Sequence, residues 1–207
     1  AMGVSFLITT GAEVLTLLLS FTAAYAIARF QIPEARWMEM GFGMGFLIPV
    51  FAVLVPVFLL AAKTGLLYNP LFLVMFYAAS RLPLTIMVLA SNMRGIPREL
   101  EECAIIDGAN VIQTMRHVFF PLVRSGIATV LILTFLYVWN EYLFALVLLS
   151  RKTRTVQLVI PLLKSERLVD YGLVAAGIVI SLLPPYLIFM IFQERVMKGM
   201  LGGAVKG

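Results

Sequence analysis

The chain has 207 residues, 61% of them hydrophobic and 13% charged, and its 16 Lys and Arg against 11 Asp and Glu give a net charge of +5. With a mean hydropathy of +0.99, it cannot present a water-facing globular surface. The basic residues flank hydrophobic stretches and do not interleave with aromatics on one surface, which argues against nucleic-acid binding. The sole cysteine, Cys103, rules out an intrachain disulfide and leaves the compartment open.

Crossing the hydrocarbon core takes about 20 mostly apolar residues as a helix. Five stretches meet that length, at roughly 4–28, 40–62, 71–93, 126–150 and 172–196. Because backbone polar groups in lipid must be satisfied within the segment, they are expected as helices. The first ends in Ala24-Tyr25-Ala26, which has the look of a signal-peptidase site, but no basic region precedes it. A polar turn at 29–39 with Pro33 leads into the second span, which contains Pro49 and Pro56. A tight connection with Gly65, Asn69 and Pro70 then opens the third, which holds Arg81 and Pro83. The fourth carries Glu141, and the stretch after it, 150–171, is amphipathic and is expected at the outer interface or packed back between helices. The fifth contains Pro184-Pro185. Prolines inside spans bend them, shaping the bundle or letting helices swing.

The one long charged passage is 94–124, RGIPRELEECAIIDGANVIQTMRHVFFPLVR. Pro97 suits a first helical turn, and Glu99, Glu101 and Glu102 complement the positive end of a helix starting there. Leu100, Cys103, Ala104 and Asp107 fit one helical face, where the small Cys103-Ala104 pair lets a partner approach. Gly108 is placed to end that helix in the left-handed conformation. A second helix over about 111–119 is expected to run to Pro121 and re-enter the membrane.

Within this passage Glu102-Cys103-Ala104 is followed after three residues by Gly108, and after nine more by Val118-Phe119-Phe120-Pro121. That spacing resembles the EAA loop of ATP-binding-cassette importer permeases, Glu-Ala-Ala, three residues, Gly, nine residues, Ile-x-Leu-Pro. Further likeness lies in AAYAIARF at 23–30, in Trp139-Asn140-Glu141 followed by LFAL, and in the tail QERVMKGMLGGAVKG at 193–207. The chain is similar over nearly its whole length to the carbohydrate, maltose-transporter-like permeases, of the second-permease type. The resemblance implies an all-α membrane protein, a type I ABC importer transmembrane domain forming one permease domain over 1–207. It also implies that Glu102, Cys103, Ala104, Asp107, Gly108, Ala109 and Pro121 couple the chain to an ATPase subunit through a coupling helix. Cys103 stands where the pattern has alanine, a change in which size and apolar character are kept. Lys206 and Gly207, at the end of the tail, would reach toward the ATPase pair. Such permeases commonly have six spans, and the likeness here begins at their second, so the first helix is missing from this expectation and Ala1 falls outside.

Ionisable groups in a span are functional candidates by default. Glu13, Arg81 and Glu141 are the three. Trp139, Asn140 and Glu141 together can stack on and hydrogen-bond a hydroxylated solute, and the resemblance favours them as a substrate pathway; the alternative is that Glu141 makes a structural hydrogen bond to a neighbouring helix or partner. A cytoplasmic 94–124 loop places nine Lys and Arg inside and six outside, so a cytoplasmic C-terminus is the preferred orientation. No phosphate-binding Gly-rich motif, metal cluster or second histidine beside His117 is present in the sequence. The chain is therefore expected to be no enzyme and to bind no cofactor of its own, ATP and Mg belonging to two partner ATPase subunits. The remaining expected partners are a homologous permease, an extracytoplasmic solute-binding protein and lipid, in a bacterial or archaeal inner membrane. The function expected is sugar import; a polyol or glycerol phosphate importer, or an ATP-independent transporter or channel, are the alternatives.

Overall fold

The computed structural model describes residues 1–30, 34–163 and 171–204, without the side chains of 36, 46 and 194–204; Pro33 lies outside the described residues. No strand occurs among them. Three of the five apolar stretches form helices that meet the length and hydropathy of a membrane span, namely α1 (Met2–Arg29), a later helix Pro70–Arg94, and Tyr171–Gln193 of the last helix.

The other two stretches are interrupted. Over 40–62 the chain forms α2 (Ala35–Met44), two short 3₁₀ turns and then α3 (Leu54–Lys63). Pro49 supplies the reason: it sits in an extended conformation, φ −61° and ψ 122°, and its missing backbone donor removes a ladder bond at the same point. Pro56 falls in the first turn of α3, where its missing donor costs nothing. After α4 (Pro70–Arg94) come the short helices α5 (Glu99–Ile106), α6 (Val111–Thr114) and α7 (Phe120–Leu122), with a π-helical turn at Met115–Phe119 between the last two. Next is α8 (Arg124–Asn140), set off from the preceding helical run by an 80° bend. The stretch at 126–150 thus breaks after Asn140 and resumes as α9 (Leu143–Leu148). The amphipathic segment that follows folds into a Ser150-capped 3₁₀ turn, α10 (Val156–Val159) and another 3₁₀ turn. The chain ends in α11 (Tyr171–Ala204), which runs through Pro184 and Pro185.

Two compact units divide these elements. The first comprises Ala1–Leu15, Ile48–Ser80 and Ile132–Ile191. Its core gathers Ile8, Leu73, Tyr77, Phe144 and Leu148, all nearly inaccessible. In it the amphipathic segment packs back, as Val156 and Leu158 are buried and the Val156 amide donates to the buried Ser5 hydroxyl at 2.9 Å. The second unit comprises Thr16–Leu47, Arg81–Leu131 and Phe192–Gly207. Its core is built on Ala24, Tyr25, Leu89, Met93, Phe119 and Val123. Inside it the turn that follows α2 approaches α4 closely, since a Cβ on Gly45 would lie 2.9 Å from the Pro83 ring.

Candidate functional site

In the 94–124 loop, α5 starts at Glu99 with Arg98 at its cap, two residues later than a start at Pro97. Glu99, Glu101 and Glu102 occupy its first turn, where carboxylates offset the partial positive charge of the exposed amides. It ends as its sequence dictates. Gly108 has φ +81°, and the Ala109 amide reaches back to the Ala104 carbonyl at 2.9 Å, the double-bonded left-handed cap that satisfies orphan carbonyls.

The surface of α5 is unusual for its surroundings. Glu102, Cys103, Asp107 and Gly108 are exposed and Ala104 and Ala109 are half-exposed, but so are large apolar side chains. Ile105 is 61% exposed, Ile106 84% and, just beyond, Ile112 75%. These exposed apolar side chains lie in the most charged stretch of the chain.

The return segment is shaped by local hydrogen bonding. Asn110 and Gln113 form a reciprocal capping box, with bonds of 2.9 and 2.8 Å, that starts α6. The expected helix over 111–119 is present and carries on to Leu122. It passes Pro121 by way of the π-helical turn: the Phe120 amide bonds the Met115 carbonyl, widening the ladder immediately ahead of the residue that cannot donate. The Pro121 carbonyl accepts from Arg124 Nε at 2.8 Å, and the chain turns into α8.

The inner side of α5 is held by two residues of the AAYAIARF stretch, to which sequence reasoning gave no role of their own. Arg29, the last residue of α1, is buried, and its Nε donates to Glu101 at 2.7 Å. The Tyr25 hydroxyl, one helical turn earlier, donates to the other Glu101 oxygen at 2.6 Å. At the start of the loop Arg94 makes a bidentate bond to Glu39, at 2.8 and 2.6 Å, with side chains 44% and 35% exposed. The Arg94 guanidinium holds the Glu39 carboxyl below the usual carboxylate range.

In the first unit, Trp139, Asn140 and Glu141 are brought together at the break between α8 and α9 but face different surroundings. The Trp139 ring is buried, stacked on Phe135 and edge-on to Phe6, and its Nε1 donates to the Ser181 carbonyl at 3.0 Å. Glu141 accepts from the Phe144 and Ala145 amides at 2.9 and 3.1 Å, and Tyr77 hydrogen-bonds its second oxygen. It thereby satisfies the first amides of α9 from just outside the helix. Asn140 is the exposed member, with Gln157 reaching its oxygen at 3.5 Å.

Residues 17–202 match the family described as "binding-protein-dependent transport system inner membrane component". The chain belongs to this family. Its relatives include the trehalose transport system permease protein SugB of Mycobacterium tuberculosis, 35% identical over 97% of this chain and 73% of that protein. The diacetylchitobiose uptake system permease protein NgcG of Streptomyces coelicolor is 33% identical over 93% of this chain and 65% of its own length. The permease shares its fold with the crystal structure of a bacterial ABC transporter involved in the import of the acidic polysaccharide alginate. Their TM-score is 0.82 at 22% identity, covering 94% of this chain and 73% of that one.

The permease is thus a multi-pass inner-membrane transport component and not an enzyme, and the ATP-independent channel alternative is not favoured. Among the described residues no group of three or more His, Cys, Asp or Glu is suited to a metal ion. Lys206 and Gly207, expected at the ATPase, lie outside the described residues. Of the residues missed from sequence, Ile105, Ile106 and Ile112 carried a readable signal, apolar side chains in a charged loop. Tyr25 and Arg29 carried a weaker one, being four apart on one helical face.

Proposed function

We propose that the permease is a subunit of an ATP-driven, binding-protein-dependent sugar importer and forms half of its translocation pathway with a homologous permease. An extracytoplasmic solute-binding protein delivers the sugar, and two ATPase subunits, which hold ATP and Mg, drive the cycle. The observation that carries this reading is α5, a helix closed by a left-handed C-terminal cap with exposed Ile105 and Ile106 beside Cys103 and Gly108. A helix with this exposed apolar face fits a cleft on an ATPase, and Glu102, Asp107 and Ala109 complete the seat while Pro121 turns the chain back toward α8. Closure of the ATPase pair then moves the seated helix as a rigid body, and reciprocity requires that loaded binding protein outside bias the ATPases inside. The sugar class is supported by the relatives, whose names specify trehalose, diacetylchitobiose and, in Rhizobium radiobacter, lactose.

At the α8–α9 break the exposed Asn140 offers hydrogen bonds to solute hydroxyls, and Trp139 and Glu141 fix the backbone that presents it. The C-terminus, with Lys206 and Gly207, lies on the cytoplasmic side toward the ATPases. Co-purification tests the coupling. Replacing Ile106→Asp should leave the permease in the membrane but lower recovery of its ATPase subunit about tenfold or more, since a desolvated charge in a contact costs several kcal/mol. Unchanged recovery would remove α5 from the interface. Uptake of labelled trehalose, lactose and diacetylchitobiose by the reconstituted complex, with and without internal ATP, then tests the substrate class.

A further inference from the structure

A helix of eight residues is marginal on its own, so α5 transmits force only if something fixes it to a membrane helix. Within the second unit one side chain gathers the required connections. Arg29 Nε bonds Glu101 of α5 at 2.7 Å, Nη1 bonds the Ile96 carbonyl at 2.9 Å and the Met93 carbonyl at 3.4 Å, and Nη2 reaches the Pro97 carbonyl at 3.5 Å. Met93 belongs to the last turn of α4, and Ile96 and Pro97 to the link between α4 and α5. The guanidinium also lies 4.9 Å from the ring centroid of Phe119, on the return segment, and that ring packs edge-on against Tyr25 at 5.0 Å. The Arg29 and Glu101 side chains are 3% and 18% exposed.

Glu101 differs in this from its neighbours. Leu100, Glu102 and Cys103 are open to solvent, whereas both Glu101 oxygens are engaged inward, one by Tyr25 and one by Arg29. A buried ion pair of this kind is a poor source of net stability, and in some proteins such pairs instead specify a single geometry. Arginine is required for it. Its planar fork reaches a carboxylate and several carbonyls at once, whereas a lysine is a point charge with three rotatable donors and cannot span them.

We propose that Arg29 is a positioning residue for energy coupling: through Glu101 it locks α5, the end of α4 and the cytoplasmic end of α1 into one rigid body, so that displacement of α5 is delivered to α1. The proposal rests on the reading of α5 as the ATPase contact. Glu102 would then serve the partner and Glu101 the permease itself, two adjacent carboxylates with opposite duties. When the lock is broken, α5 stays seated on the ATPase but yields locally, and the membrane helix no longer follows.

The test uses the complete complex in native membranes, with Leu18→Cys as a reporter on the exposed face of α1 and Cys103→Ser to remove the native thiol. The rate of maleimide labelling at position 18 is measured with and without ATP plus vanadate, alongside co-purification of the ATPase subunit. In the otherwise unsubstituted permease the nucleotide should change the rate by about fivefold or more, the lower range of allosteric coupling. Arg29→Lys and Glu101→Gln should each reduce that response to less than about twofold, below that range, with ATPase recovery unchanged. Should Arg29→Lys lower the amount of folded permease, Glu101→Gln decides alone, with labelling normalised to folded permease, because its amide oxygen still accepts from Arg29 and the guanidinium keeps its bonds to the Met93, Ile96 and Pro97 carbonyls. A full nucleotide response in Glu101→Gln would overturn the proposal and leave the ATPase contact standing. Failure of the unsubstituted chain to recover an ATPase would instead remove the contact reading, and the proposal with it.

Discussion

The 94–124 loop and the break between α8 and α9 both interrupt apolar helices with carboxylates, yet they direct them oppositely. At the break, Glu141 is saturated from within: two α9 amides and the Tyr77 hydroxyl take its oxygens. In the loop, Glu99, Glu102 and Asp107 point into solvent and only Glu101 turns inward. An internally satisfied carboxylate holds backbone in place, and its loss is felt in stability. Carboxylates left outward on a capped helix, among exposed isoleucines, have no such internal duty, and on the proposed coupling reading their loss is felt in assembly.

Substitutions sharpen that contrast. The largest loss of stability is expected for Arg29→Gln, which leaves Glu101 buried without its cation; removing one partner of a buried pair typically costs about 3–5 kcal/mol, and thermal unfolding of the purified permease in detergent should show it. Glu141→Ala comes next, at about 2–3 kcal/mol, because two α9 amides and a buried tyrosine hydroxyl lose their acceptor; a wild-type melting temperature would mean the break is held by something else. Gly108→Ala should cost about 1 kcal/mol, since an L-residue is strained at φ +81°. Ile106→Ser should leave stability within about 0.5 kcal/mol, as expected for an exposed position, while weakening ATPase recovery, and a stability loss without an assembly defect would reverse the assignment of the two regions.

The smallest effect belongs to Glu39→Gln, which breaks an exposed pair worth less than about 1 kcal/mol. Its sign with pH is fixed. The carboxyl is held below its ordinary range by Arg94, so the pair contributes above the unfolded carboxylate pKa and is lost as pH falls through the lowered folded value. The difference in melting temperature between wild type and Glu39→Gln should therefore be present at neutral pH and vanish at strongly acid pH.

Local chemistry was legible in the sequence where one residue type dictates one conformation. Gly108 ends α5, the 111–119 stretch is helical, and three apolar stretches are unbroken helices of spanning length. Reading failed where a side chain competes with the backbone. An apolar count over 40–62 and 126–150 does not register that Pro49 withholds a donor or that Glu141 offers acceptors to the amides beyond it. Nor could spacing show that Trp139 is enclosed by Phe6 and Phe135 while Asn140 stays exposed. The burial of Arg29 was hidden for a further reason: all five of its partners lie more than sixty residues away along the chain, a distance at which periodicity carries no information.

The exposed thiol of Cys103 gives the most direct test of the coupling surface. A photo-crosslinker attached there, in membranes from cells that also make the partner subunits, should capture a soluble subunit that binds ATP, and the yield should change when ATP is added. If Cys103 is labelled to completion and no ATP-binding subunit is captured under either condition, α5 is not the contact through which this permease is driven.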